Sequence, residues 1–236
     1  MSRFIGAAFT RLALRMGMPT LADIRRLTRN WDYAQANDQS VLDNDPQKDR
    51  VTEAVELLDA DPHAAFRILL DLAEQGSVWS MLKVGECYRR GRGVPADASL
   101  AEDWIRRAYE GGSQRALLIY GDLLASRGDL DGSESVFSAG TDCDWAPAFY
   151  WLARRRLDRG NTRGTLLQVR PLLERAAELG SPQAKWVLAR NMLWGRFGLR
   201  EIPRGHNLMR EFSRGMLAET RVVSPRDVSS TGRQPR

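Results

Sequence analysis

The most constraining feature of this sequence is a six-residue pattern that recurs four times. Its copies begin at Ser80, Ala116, Ala148 and Ala184, at intervals of 36, 32 and 36 residues. Each copy has a small residue at its first and sixth positions and large residues at its third and fifth positions. On a helix, small residues five positions apart, with bulky residues between them, let a neighbouring helix approach closely. The sequence therefore predicts one helix-packing unit, repeated along the chain.

A second pattern predicts the helix that follows each of these segments. The copy that begins at Asp97 has a counterpart 36 residues earlier at Asp61. Both copies have spacings of 4, 3, 4 and 4 residues, which place the members on one helix face between an aspartate N-cap and a terminal glycine. The members are Asp97, Ala101, Trp104, Ala108 and Gly112, and, in the earlier copy, Asp61, Ala65, Ile68, Leu72 and Gly76.

Each unit is thus predicted as helix A, a turn, helix B and a glycine turn. The predicted A helices are residues 78–90, 114–126, 145–158 and 182–194. The predicted B helices are residues 62–75, 98–110, 132–138, 165–178 and 205–217, after a lead helix at 51–59. The B helix at 132–138 is short because the tight turn RGDLDG, residues 127–132, precedes it.

Such units cannot bury their apolar faces alone, so they stack into a right-handed superhelix with a concave surface. The predicted fold class is therefore all-α, an α/α solenoid of helix-turn-helix repeats. We expect about four units in residues 61–217, capping helices in residues 19–60 and a basic amphipathic helix in residues 1–18. Residues 218–236 are rich in Ser, Pro and Arg without periodicity, and are predicted to be a disordered basic tail.

The residue columns of the first unit resemble those of the Sel1-like repeat family, which is related to the tetratricopeptide repeat. The matching residues are Gly76, Ser80, Leu82, Gly85, Tyr88, Gly91, Gly93, Val94, Asp97, Ala101, Trp104 and Ala108. The resemblance covers about residues 61–217, and the second unit departs from it by lacking the G-x-G-V loop. It implies a non-catalytic adaptor that holds other proteins together in bacterial signalling or at the envelope, exopolysaccharide systems included.

The stretch GECYRRGRGVPAD, residues 85–97, could be a phosphate-binding loop or the turn between two helices. A phosphate loop follows a strand and leads into a helix N-terminus, whereas this stretch follows a predicted helix. Gly91 stands where a left-handed residue ends a helix, so we predict a turn.

Chemistry-bearing residues are few. His63 and His206 have no nucleophile or carboxylate at catalytic or metal-ligand spacing, and paired carboxylates such as Glu102 and Asp103 diverge by about 100° on a helix. We therefore expect no enzyme activity, cofactor, metal or small-molecule substrate. Two cysteines, Cys87 and Cys143, are predicted to be buried in a reducing compartment.

Candidate partner-binding residues lie on or at the ends of the A helices. Two tryptophans lie between the core columns of their helices. Each of them either lines an exposed groove or is buried against a neighbouring unit. Arginines at the helix ends either compensate the helix dipole or form a patch for an acidic partner. The candidates are Trp79, Lys83, Arg89, Arg90, Trp151, Arg154 and Arg155.

The ends of the chain are basic and its middle is acidic. Residues 1–30 carry a net charge of +5, residues 31–189 a net charge of −6 and residues 190–236 a net charge of +6. A nucleic-acid binder that uses these basic ends is an alternative, because phosphate neutralisation dominates such affinity. It is the weaker alternative, since the basic ends flank the repeats instead of lining their groove. We expect a cytoplasmic scaffold that binds one or more protein partners in the concave groove of the repeats.

The N-terminal helix has one apolar face, opposite its arginines. That face is formed by Ile5, Phe9, Leu12 and Met16. It could dock on the protein itself or on a partner, or bind an anionic membrane surface such as the inner membrane, or act as an organellar presequence.

Overall fold

The computed structural model describes residues 31–222, and their side chains as far as residue 215. Within this range the chain forms a helical stretch at residues 31–34, eleven further α-helices and one 3-10 helix, and no strand. The helices are α1 (Asp38–Asp43), α2 (Lys48–Ala60), α3 (Pro62–Glu74), α4 (Val78–Arg90), α5 (Ala98–Glu110), α6 (Gln114–Ser126), α7 (Leu130–Thr141), α8 (Ala146–Arg159), α9 (Arg163–Glu178), α10 (Pro182–Leu193) and α11 (Ile202–Val222). The 3-10 helix is Leu199–Glu201.

The helices pack as consecutive neighbours. Each helix from α2 to α8 packs against the next, and α10 packs against α11. The described residues up to Ser181 form one compact unit, and those from Pro182 onward belong to a second. The all-α repeat architecture predicted from the sequence is confirmed.

The helix bounds follow the predicted ones except at a few places. The B helix of the second unit, α7, is longer than predicted, because Asp129 in the preceding turn accepts a hydrogen bond from the Gly132 amide at 2.8 Å and caps a full first turn. The helix α11 starts three residues before the predicted position and continues to Val222. It therefore extends five residues into the predicted tail, whose remainder lies outside the described residues.

Residues 19–60, where capping helices were predicted, contain one helix whose position had not been predicted individually. Residues 31–34 are helical, a turn follows, and α1 occupies Asp38–Asp43. Residues 19–30 lie outside the described range, so the prediction of capping helices stays untested.

The small positions of the repeat allow the close approach of helices A and B. A Cβ placed on Gly85 of α4 would lie 2.6 Å from Cγ1 of Ile105 in α5. A Cβ on Gly121 of α6 would lie 2.5 Å from the ring of Phe137 in α7. Such distances are far below van der Waals contact, so these columns are small because another helix fills the space.

The loop between α4 and α5 is a turn. Gly91 ends α4 with φ 67°, and its amide donates to the Cys87 carbonyl oxygen. Asp97 then caps α5 by accepting hydrogen bonds from the Ser99 and Leu100 amides, each at 2.9 Å. The turn interpretation of GECYRRGRGVPAD is therefore correct.

The two cysteines have different environments. Cys87 is buried against the core, and burial raises the pKa of its thiol above the ordinary value. Cys143 is exposed, contrary to prediction, because it lies in the turn between α7 and α8.

Candidate partner-binding face

The helices α4, α6 and α8 are the A helices of the first three units, and we call the surface that they form the A-helix face. Residues 31–47, here called the acidic segment, lie across it. The segment contacts the third unit first and the first unit last, so it runs opposite to the order of the repeats. Its contacts span 28 to 119 positions in the sequence.

At its start the acidic segment contacts two tryptophans of the third unit. The Trp151 indole donates to the Asp32 carboxylate at 3.0 Å. The Trp145 indole donates to the Gln35 carbonyl oxygen at 2.9 Å. Because a buried indole N–H requires an acceptor, the acidic segment satisfies both rings.

In the middle of the acidic segment one side-chain amide bridges the turn between α5 and α6. Asn37 donates to the Gly112 carbonyl oxygen at 3.0 Å and accepts from the Gln114 amide at 2.9 Å. Both hydrogen bonds use backbone groups next to the start of α6. The first amides of a helix, such as that of Gln114, have no acceptor within the helix, and Asn37 provides one. This contact depends on the turn's geometry and not on the side chains of the turn.

The end of the acidic segment reaches the first unit. The hydroxyl of Ser77, the N-cap of α4, donates to Asp45 at 2.5 Å. The side chains of Gln47 and Gln75 are hydrogen-bonded at 2.7 Å. A cleft of ≈ 450 Å³ lies between this part of the segment and the turns that precede α4 and α6.

A chain of ion pairs links the acidic segment to the face. Asp38 pairs with Arg115 at 3.2 Å, Arg115 with Glu86 at 3.3 Å, and Glu86 with Lys83 at 3.5 Å. The Lys83 ammonium in turn lies 4.3 Å from the centroid of the Trp79 ring. Alternating charges therefore connect α1, α6 and α4.

Partial burial shifts the pKa values of this network. Burial raises the pKa of Asp38 above its ordinary value, since it outweighs the opposing attraction of Arg115. Burial also acts on Glu86, but Lys83 and Arg115 together outweigh it, so the pKa of Glu86 is lowered. Glu86 is thus held as a carboxylate between two cations.

Arg155 forms a second polar cluster on α8. Its guanidinium lies 5.1 Å from the centroid of the Trp151 ring and pairs with Asp122 at 2.7 Å and with Asp158 at 3.2 Å. Only 13% of its side chain is exposed. Arg155 therefore helps to hold the Trp151 ring, which binds the acidic segment, in position.

The predicted partner-binding residues fall into two groups. Trp79, Lys83, Trp151 and Arg155 lie in the clusters just described. Arg89 and Arg90 are exposed in the last turn of α4. Arg154 is exposed and paired to Asp158 at 3.1 Å, but it and Arg155 lie before the last turn of α8, contrary to the expected position at the helix end. Whether any of the seven binds a partner stays a prediction.

Sequence reasoning missed the residues that connect the face to the acidic segment. These are Asp32, Asn37, Asp38, Glu86 and Arg115. A signal was present in the sequence, because residues 31–47 contain four aspartates and no Lys, Arg or His.

The remaining residues considered in the sequence form no site in the described part of the structure. His63 and His206 are exposed, and no His, Cys, Asp or Glu cluster among the described residues could hold a metal ion. The predicted membrane face in residues 1–18 lies outside the described range, and none of the described helices is long and apolar enough to cross a membrane.

We expect the Glu86→Gln variant to lose about 2 kcal/mol of unfolding free energy at pH 7, because two partly buried cations lose their carboxylate. The contribution of a carboxylate with a lowered pKa is fully present above the ordinary glutamate pKa of about 4.3. It disappears as the pH falls through the lower pKa of the folded state. The difference in unfolding free energy between wild type and variant, measured by urea unfolding, should therefore disappear in acid.

Glu110→Gln is the matched control, since Glu110 pairs with Arg106 on an exposed surface. We expect it to change the unfolding free energy by at most about 0.5 kcal/mol. Equal losses in the two variants, or a gap that persists in acid, would contradict the role assigned to Glu86.

The stacked helical hairpins, with no strand among residues 31–222, define the class of protein. It is an α/α helical-repeat protein, a class that commonly presents extended binding surfaces. The structure is similar to that of a protective antigen from uropathogenic Escherichia coli strains that displays an SLR fold, with a TM-score of 0.61 and 21% identity. That similarity covers 70% of this chain and 38% of the antigen, so the chain spans well under half of its length.

A Sel1 repeat protein from Oxalobacter formigenes is also similar, with a TM-score of 0.58 and 16% identity over 72% of this chain and 75% of that one. The chain therefore has the Sel1-like repeat fold. No protein-family model and no curated protein matches the sequence.

Proposed function

We propose that this chain is a non-catalytic scaffold that holds a protein partner on the A-helix face. The observation that carries the proposal is that this face already binds a peptide segment through contacts from three consecutive units. Polypeptide binding is thus within the chemistry of these side chains. Helical-repeat proteins commonly use such extended surfaces in the same way.

The face offers three kinds of contact to a partner. Indole donors come from α8 and the turn before it, cations come from Lys83 and Arg115, and backbone groups come from the turn at Gly112. Aromatic and arginine side chains dominate binding energy at protein interfaces. A partner that uses all three would be held in one register along the units.

The proposal is tested by affinity capture from the native organism with the full chain as bait, followed by mass spectrometry. A Trp151→Ala, Arg115→Ala variant changes the face. An Arg106→Ala, Leu100→Ala variant removes a guanidinium and a large apolar side chain at exposed positions of α5, which is not an A helix. We expect at least one protein to be retained by wild type and control and reduced about tenfold or more by the face variant.

Circular dichroism of both variants establishes that they are folded. If no captured protein distinguishes the face variant from its control, the A-helix face is not the binding surface.

We further propose a bacterial signalling or envelope setting, exopolysaccharide systems included, on the resemblance of the repeats to Sel1-like proteins. Peripheral attachment to the inner membrane through residues 1–18 is supported by their sequence pattern alone. Liposome flotation of the full chain against a chain that lacks residues 1–18 tests the attachment. Equal partitioning of the two would exclude it.

A further inference from the structure

We propose that the acidic segment, residues 31–47, is a resident and displaceable ligand of the A-helix face, and that the partner binds by replacing it with an acidic segment of its own. The identity of the binding face rests on the function proposed above. Displacement is an additional property, since a scaffold could equally bind its partner elsewhere while this segment stays in place.

Charge complementarity supports the first part of the proposal. The segment carries four aspartates and no basic residue, and two of them, Asp32 and Asp38, reach donors on the face. The face provides the Arg115 guanidinium and the Trp151 indole as their partners. A segment with this charge is attracted to the face before any close contact forms.

The loose packing of the second half of the acidic segment, residues 38–47, supports displacement. The helix α1 in this half has no buried residue. The first half is held more firmly, since Asp32 is 3% exposed and Tyr33 and Ala36 pack against the core. The cleft of ≈ 450 Å³ separates part of the segment from the repeat turns. Regions with few buried apolar contacts open at low free energy, in contrast to the core helices beneath them.

Imperfect hydrogen bonding between the acidic segment and the A-helix face also supports displacement. Oδ1 of Asp38 and Nε of Arg115 are buried without a hydrogen-bond partner, although the two side chains form an ion pair through other atoms. Buried polar atoms that lack partners cost free energy, so the docked state is held less firmly than its number of contacts suggests. A partner that satisfies these atoms gains affinity over the resident segment.

The resident contacts define the chemistry of the replacing partner. It needs one carboxylate for the Trp151 indole and, six residues later, a second carboxylate for Arg115. A side-chain amide directly before the second carboxylate would repeat the bridge that Asn37 makes to the turn at Gly112. The partner is therefore an acidic peptide segment, whose carboxylates and side-chain amide reproduce the resident contacts in the same order.

Tethering gives the resident segment an advantage. The segment leads directly into α2, so its effective concentration at the face is in the millimolar range that short linkers provide. A free peptide of the same sequence should therefore bind wild-type protein about 100-fold more weakly than it binds a face whose own segment has been released.

The test uses fluorescence anisotropy with a labelled synthetic peptide of residues 31–47. The proteins are the full chain, a full-chain segment variant (Asp32→Ala, Asn37→Ala, Asp38→Ala), and that variant with Arg115→Ala added. We expect the segment variant to bind the peptide about 100-fold more tightly than wild type, and Arg115→Ala to weaken that binding about tenfold. A peptide of the same composition in scrambled order is the control for charge alone.

Hydrogen exchange on the wild-type full chain provides a second measurement that needs no variant. We expect backbone amides of the acidic segment to exchange at least 100-fold faster than those in the centres of α4 and α6. Exchange as slow as in those helices would overturn the proposal, even if the segment variant does not fold. So would a folded segment variant that fails to bind the peptide, or that binds the scrambled peptide equally well.

These outcomes are separable from those of the capture experiment. If the peptide fails to bind while a partner still depends on Trp151 and Arg115, displacement is wrong and the scaffold function stands. If the peptide binds as expected while no captured protein depends on the face, the resident ligand stands and the proposed function fails.

Discussion

Replacing Gly93 with alanine is expected to lower the free energy of unfolding by about 3 kcal/mol. Two costs combine at this position. Gly93 has φ 73°, a left-handed conformation that costs a residue with a Cβ about 1–2 kcal/mol. The new Cβ would also overlap the Pro62 carbonyl group, at 2.5 Å from its carbon. Because the obstacle is backbone at the start of α3, relief requires a shift of the α4–α5 loop or of that helix.

Gly91→Ala is the matched control for this prediction. Gly91 lies two residues away with a similar φ of 67°, but the nearest atom to its added Cβ would be the Ala96 methyl at 3.5 Å. It should therefore suffer only the conformational cost of about 1 kcal/mol. Urea unfolding followed by circular dichroism measures both variants. Equal losses would mean that the close approach to Pro62 does not contribute.

The Phe137→Ala variant is expected to lose about 3–5 kcal/mol of unfolding free energy. The Phe137 side chain is 0% exposed and fills the space opposite Gly121, where α6 and α7 meet. It also stacks on the Trp151 ring, with centroids 6.1 Å apart. The variant therefore leaves a cavity beneath the ring that binds the acidic segment.

Leu167→Ala provides the comparison for a large apolar side chain outside the core. Leu167 is 47% exposed on α9, so its truncation should change the unfolding free energy by no more than about 0.5 kcal/mol. Denaturant unfolding of both variants separates cavity formation from loss of apolar surface. A Phe137→Ala loss below about 1 kcal/mol would contradict the packing described for α6 and α7.

The repeat could be predicted from sequence because its determinants are local and periodic. The small residues at Gly85 and Gly121 recur at a fixed place in their units, and a helix converts that spacing into one face. The glycine turn at 91–97 could also be predicted from local sequence, because helix ends have strong residue preferences. The length of α7 was misjudged because the aspartate that caps it, Asp129, lies within a turn that was expected to shorten the helix.

The candidate site could be predicted only in part. Trp79 and Trp151 were identified because they fall outside the core columns of their helices. Their partners could not be identified, because the pairs Asp32–Trp151 and Asp38–Arg115 join residues 119 and 77 positions apart. No periodicity relates such positions. The charge of residues 31–47 was visible, but a run of aspartates is equally compatible with a solvated surface.

The sequence by itself determined the all-α repeat, the helix pairs and the turns between them, because each depends on contacts within one unit or with the next. Only the tertiary structure decided that residues 31–47 lie on the A-helix face and that Asp38, Arg115, Glu86 and Lys83 form one ion-pair chain there. The physical reason is that stacking brings the A helices of successive units side by side. A segment that crosses them therefore meets side chains whose separation along the chain carries no pattern.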